Sequence, residues 1–138
     1  MSTRAMYTFS DGSGANHVYK HHDGYPYGKG GVGGLVWISK AIEYAWELPR
    51  FEADEFSAAF VAANKSPLQG GVRLVNKVHP WEYSTDSEYW YQVRRWKDDD
   101  LWVDVFSVDW WENDRKEEHV MFGALSELLA RERARLGD

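Results

Sequence analysis

The sequence contains no cysteine. Disulfides, thiolate metal sites and a cysteine nucleophile are therefore excluded, and nothing ties the chain to an oxidising compartment. Proline is scarce at four residues, so few positions forbid regular structure outright. Positive charge is in deficit: 16 Lys and Arg stand against 22 Asp and Glu, a formal charge of −6 at pH 7. Nucleic acid is held largely through positive charge, so this balance argues against that partner. Long apolar runs are missing too, and none approaches the roughly 20 residues a membrane-crossing helix needs. Met1-Ser2-Thr3-Arg4 leads into a polar-interrupted strand pattern, not the apolar run of a signal peptide. The expectation is a soluble, cytoplasmic chain with no membrane association.

What is present is apolar, and above all aromatic. Of 138 residues, 43% are hydrophobic, too many for a disordered chain at this modest charge. A chain of this mass buries about two-thirds of its unfolded surface, enough for one core and not for two. Residues 1–138 are thus expected to form a single domain. Eight Trp, eight Tyr and six Phe make 16% of the chain. Rings that bury about 150–250 Å² each must then supply much of the core. Any rings left over would form an exposed aromatic surface for a base, a sugar ring or a protein partner.

Patterning gives the order ββααβββα. Tyr7-Thr8-Phe9 and His17-Val18-Tyr19 flank a turn whose Asp-Gly and Ser-Gly dipeptides suit positive φ. Pro26 and the glycines of 28–34 interrupt regular structure. Leu35, Ile38, Ala41, Ile42 and Ala45 then recur at helical spacing, and Pro49 ends that helix. A second helix fits 52–64, with acids at its N-terminal end. Val72 to Val75 reads as a strand. Glu88 to Trp96 and Leu101 to Trp110 read as a hairpin around a four-residue loop, Lys97 to Asp100. Leu101, Val103 and Val105 fall on one face of its second strand, Trp102, Phe106 and Val108 on the other. That strand is expected to be central, with helices on at least one side. Asp114 and Glu117 resemble a capping box opening a last helix through Met121, Phe122, Leu125, Leu128 and Leu129. The expected class is α+β, with an antiparallel sheet packed against about three helices.

Several motifs carry chemistry on paper. Lys29-Gly30-Gly31-Val32-Gly33-Gly34 resembles the phosphate-binding loop of the partition and septum-site ATPases, K-G-G-V-G-K-S/T. Gly34 stands where their phosphate-reaching lysine would be, and Leu35 where their magnesium-binding hydroxyl would be. Nucleotide hydrolysis is therefore not expected, though Lys29 beside a helix N-terminus could hold an anion. His17, His21, His22 and Asp23 invite a metal reading. In an extended strand His17 and His21 lie about 13 Å apart at about 3.3 Å per residue, too far to share one ion. No metal site or cofactor is expected. Asp104 and Asp109 are an odd number apart on one strand, so they face opposite ways and do not make a shared acid–base site. Trp90, Arg94, Arg95, Trp96 and Lys97 interleave bases with rings, but Asp98, Asp99 and Asp100 cancel that charge.

Thr3-Arg4-Ala5-Met6-Tyr7 and Val18-Tyr19-Lys20-His21-His22-Asp23-Gly24-Tyr25-Pro26 carry the most specific resemblance. They are similar to the start of a family of small phage and prophage proteins. Those begin T-R-x-x-[IY], continue with V-Y-x-H-x-D-G-Y-P, and place a glycine, here Gly28, before a helix. The likeness covers about 30 residues; it implies a phage or mobile-element setting and brings no reaction, cofactor or partner. In physical terms Asp23-Gly24-Tyr25-Pro26 is a turn, with Gly24 supplying unusual φ and Pro26 fixing the chain. Arg4, Tyr19, His21, Asp23 and Tyr25 then gather as a structural knot or as a ligand pocket beside Lys29. The expected function is non-catalytic binding of a protein partner or a second copy. The alternative is a small-ligand-binding protein or enzyme at that polar cluster beside the Gly28–Gly34 loop.

Overall fold

The computed structural model describes residues 3–26, 33–65, 71–75, 87–109 and 116–135. Strands β1 (Ala5–Ser10) and β2 (Ala15–Lys20) form the first hairpin. Helix α1 (Gly34–Ile42), a 3₁₀ turn (Leu48–Arg50) and helix α2 (Ala53–Asn64) follow. The chain continues through β3 (Val72–Val75), β4 (Tyr89–Trp96), β5 (Asp100–Asp109), β6 (Lys116–Ala124) and helix α3 (Leu125–Arg135). The class is α+β. Six strands make one sheet in the order β3-β2-β1-β4-β5-β6.

Two features of the sheet depart from the sequence expectation. The sheet is mixed, because β1 and β4 pair in parallel from Ala5–Tyr89 to Phe9–Val93, while the other pairs are antiparallel. The second departure is a strand where the last helix was expected to begin. Glu117, Met121 and Phe122 belong to β6, and helix starts only at Leu125. A bulge opposite Val105–Phe106 inserts Val120 as an extra residue in β6. That insertion breaks the alternation of the strand and leaves apolar residues spaced as in a helix. Asp114 lies outside the described residues.

The core sits between the helices and one face of the sheet. Alternation turns Tyr7 and Phe9, Val18, Tyr91 and Val93, and Leu101, Val103 and Val105 toward the helices. There they meet Leu35 and Ile38 of α1, Phe56 and Phe60 of α2, and Leu125 and Leu128 of α3. Aromatic volume dominates, as the composition required. Tyr7 stacks on Tyr91 at 4.5 Å and tilts against Phe60 at 4.6 Å, and Phe9 touches Phe56 and Phe60, each at 5.2 Å. A smaller cluster of Met6, Tyr19, Val75, Trp90 and Val108 occupies the opposite face, and no described helix residue joins it.

Carboxylates tie the elements together. Asp11 closes the first turn through Oδ1, which accepts the Ser13 and Gly14 amides at 2.7 and 3.0 Å. Its Oδ2 accepts the Ala53 amide at 2.6 Å, the first residue of α2. The turn thus rests on this Asx geometry; the described glycines with positive φ are Gly71 and Gly123. Asp100 pairs with Trp96, so the second hairpin loop has three residues, not four, with Lys97 at φ 59°. The Asp100 carboxylate is taken by the amide and hydroxyl of Ser126 at the start of α3. Among the described residues no helix is long and apolar enough to cross a membrane.

Candidate functional site

The Asp23–Pro26 turn is held by its own carbonyls. Asp23 adopts φ 59°, a left-handed conformation that Asp tolerates better than most residues. This places the unusual φ at Asp23, whereas the sequence pattern pointed to Gly24. Gly24 is needed for closeness instead: a Cβ there would lie 2.6 Å from Ala5 Cβ and 3.0 Å from the Thr3 carbonyl. Three consecutive carbonyls then receive donors from distant elements. Trp37 Nε1 donates to Asp23 O at 2.9 Å, and Tyr91 Oη donates to Gly24 O at 2.6 Å. The Gly34 amide donates to Tyr25 O. In return Tyr7 Oη donates to Gly34 O at 3.0 Å. Burial pushes the Tyr7 hydroxyl pKa well up, and the charge of Asp23 adds to it, so Tyr7 remains a donor.

The sequence-predicted residues divide around this turn. Arg4, Tyr19 and His21 come together: Arg4 Nε lies 3.3 Å and Tyr19 Oη 2.8 Å from His21 Nδ1. A guanidinium only donates, so Nδ1 accepts and the ring proton falls on Nε2. Asp23 contributes through its backbone carbonyl and its charge, while Tyr25 turns outward and packs on Tyr89 at 5.5 Å. Lys29 lies outside the described residues. The N-terminus of α1 has its Gly34 and Val36 amides occupied by the Tyr25 and Gly33 carbonyls. His17 is engaged separately, with Nδ1 2.8 Å from Thr8 Oγ1, so His17 and His21 serve different partners. Among the described residues no three His, Asp or Glu side chains are grouped to hold a metal ion.

Lys20, not singled out in the sequence, is the buried charge of this region. Its Nζ donates to His22 O at 3.0 Å and lies 4.3 Å from the Trp37 ring centre, with Lys40 4.6 Å from the same ring. Burial lowers the Lys20 pKa, the Asp23 charge opposes that, and Lys40 adds to it. The arrangement is a brace for β2 and α1 more than a reactive centre.

A second surface lies on the sheet face turned away from the helices. From Trp96 the rings run to Trp102 at 5.0 Å, Phe122 at 6.3 Å, His119 at 5.1 Å, Phe106 at 4.7 Å and Trp90 at 5.8 Å. Phe122 is 57% exposed. His119 stacks between Phe122 and Phe106 and places Nε2 2.9 Å from Asp104 Oδ1. The Arg94 guanidinium lies 5.6 Å from the Trp102 ring centre and 5.9 Å from that of Trp96. The Asp104–His119 pair was not foreseen, because strict alternation from Phe122 would turn His119 to the other face; the extra residue Val120 brings it onto this one. Comparison with protein-family models, curated proteins and solved structures gives no match.

Proposed function

We propose that the protein is a non-catalytic binding module of phage or prophage origin, acting in the cytoplasm through the aromatic face of β4, β5 and β6. The observation that carries this reading is the continuous row of rings from Trp96 to Trp90, which passes through exposed Phe122 on a face with no described helix against it. Centres of protein–protein contacts favour aromatic residues and arginine, and this face offers both around the Asp104–His119 hydrogen bond. The occupant is another protein or a second copy. The turn at Asp23–Pro26 supports a structural role for the polar cluster, since its carbonyls are consumed in joining β4 and α1 to the turn.

The test is sedimentation velocity of the full chain across a concentration series, alone and with lysate-retained material. Trp102→Ser with Phe122→Ser should abolish self-association or a stoichiometric complex while leaving circular dichroism native. Association that survives this double change would sink the reading.

A further inference from the structure

The parallel pairing of β1 and β4 creates a crevice. β1 ends at Ser10, one residue past the Phe9–Val93 pair, while β4 runs on through Arg94 and Arg95 to Trp96. From there β1 turns back into β2 on one side, and β4 turns back into β5 on the other. With the two hairpins leaving in opposite directions along the sheet, the end of β1 leaves the last residues of β4 without a neighbour on that side. A cavity of about 410 Å³ lies there, lined by Ser10, Asp11, Gly12, Phe51, Arg94 and Arg95. That volume falls in the range of small-molecule sites.

Its lining has a definite chemistry. Arg94 and Arg95 are consecutive strand residues, so they flank the end of β4 from opposite faces. Arg95 is braced by a 2.9 Å bond from Nη1 to Pro49 O, and the Arg94 guanidinium lies over the Trp96 and Trp102 rings. Among the described residues neither guanidinium is paired with a carboxylate. Asp11, the one acid among the described lining residues, has both oxygens turned to the Ser13, Gly14 and Ala53 amides. Phe51 offers an apolar wall beside the two cations. Two guanidinia match the charge of a dianion and the fork geometry of phosphate oxygens.

We infer that this crevice binds a small phosphomonoester, its phosphoryl group between Arg94 and Arg95 and its apolar body against Phe51. The site takes Arg94 from the border of the aromatic face and uses none of that face's rings. Phenyl phosphate, inorganic phosphate and phenol are titrated into the ¹⁵N-labelled full chain while the Gly12 amide is followed by NMR. Phenyl phosphate should give saturable shifts at millimolar concentration or below and bind more tightly than inorganic phosphate, and phenol should give none. Arg94→Gln and Arg95→Gln should each weaken phenyl phosphate at least about tenfold, roughly 1.4 kcal/mol. Lys97→Gln, the same charge change outside the crevice, should have little effect. If Arg95→Gln fails to fold, Arg94→Gln carries the comparison. Three results would overturn the assignment: non-saturating shifts, equal binding of inorganic phosphate, or an equal loss with Lys97→Gln.

Discussion

Gly34 shows how much one absent side chain can decide. It occupies the position of the phosphate-reaching lysine in the ATPase loop that the sequence resembles. Any Cβ there would run into the Tyr91 hydroxyl, the group that donates to Gly24 O. The glycine thus belongs to packing. Gly34→Ala should destabilise the protein by about 1–3 kcal/mol, the usual range for forcing volume into a filled core. Tyr91→Phe removes the obstructing oxygen but keeps the ring carbon that bears it, which also collides with that Cβ, so the double variant should lose only somewhat less than the sum of the singles. Urea unfolding of the four proteins checks both statements.

Between elements, Asp11 is the clearest link, joining the first turn to the start of α2. Hydrogen bonds from the Ala53 and Ser13 amides hold its carboxyl below the ordinary 3.8. A depressed acid contributes stability that is present above the unfolded value and lost as pH falls through the folded one. Wild type should therefore exceed Asp11→Asn in urea midpoint at pH 6, and the gap should close as the pH is lowered past 3.8 toward 2. Much of this scale was legible in the sequence. The first hairpin, both early helices, β3 and the two faces of β5 follow from period and turn residues alone. The residues of the Asp23 turn were legible too, because Asp tolerates left-handed φ, Gly allows close approach and Pro fixes φ. β6 was not, since one inserted residue at Val120 erases its period. Nor were the donors Trp37 and Tyr91, whose contacts with the turn depend on how α1 and β4 are placed in space.

For the whole molecule, the decisive contact is the least local one. β1 lies mid-sheet, and its β4 neighbour is joined over a separation such as that of the Trp90 Nε1 to Thr8 Oγ1 bond, 82 residues. Pattern reading sees neighbours along the chain and favours antiparallel pairs, so the parallel pair stayed hidden. A fragment of residues 1–75 keeps α1 and α2 but leaves that side of β1 bare. It should show no cooperative thermal transition by circular dichroism, and adding a 76–138 fragment should restore one.

The same parallel pair has a consequence during synthesis. A ribosome delivers β1 and β2 first, and translates the whole of α1, α2 and β3 before β4 exists. At about 5–20 residues per second, that interval lasts several seconds. Throughout it the hydrogen-bonding edge of β1, with Tyr7 and Phe9 beside it, must wait unpaired. The nascent chain is therefore most open to mispairing before its middle is complete, and a chaperone holding that edge would act on the yield of folded protein more than on its final stability.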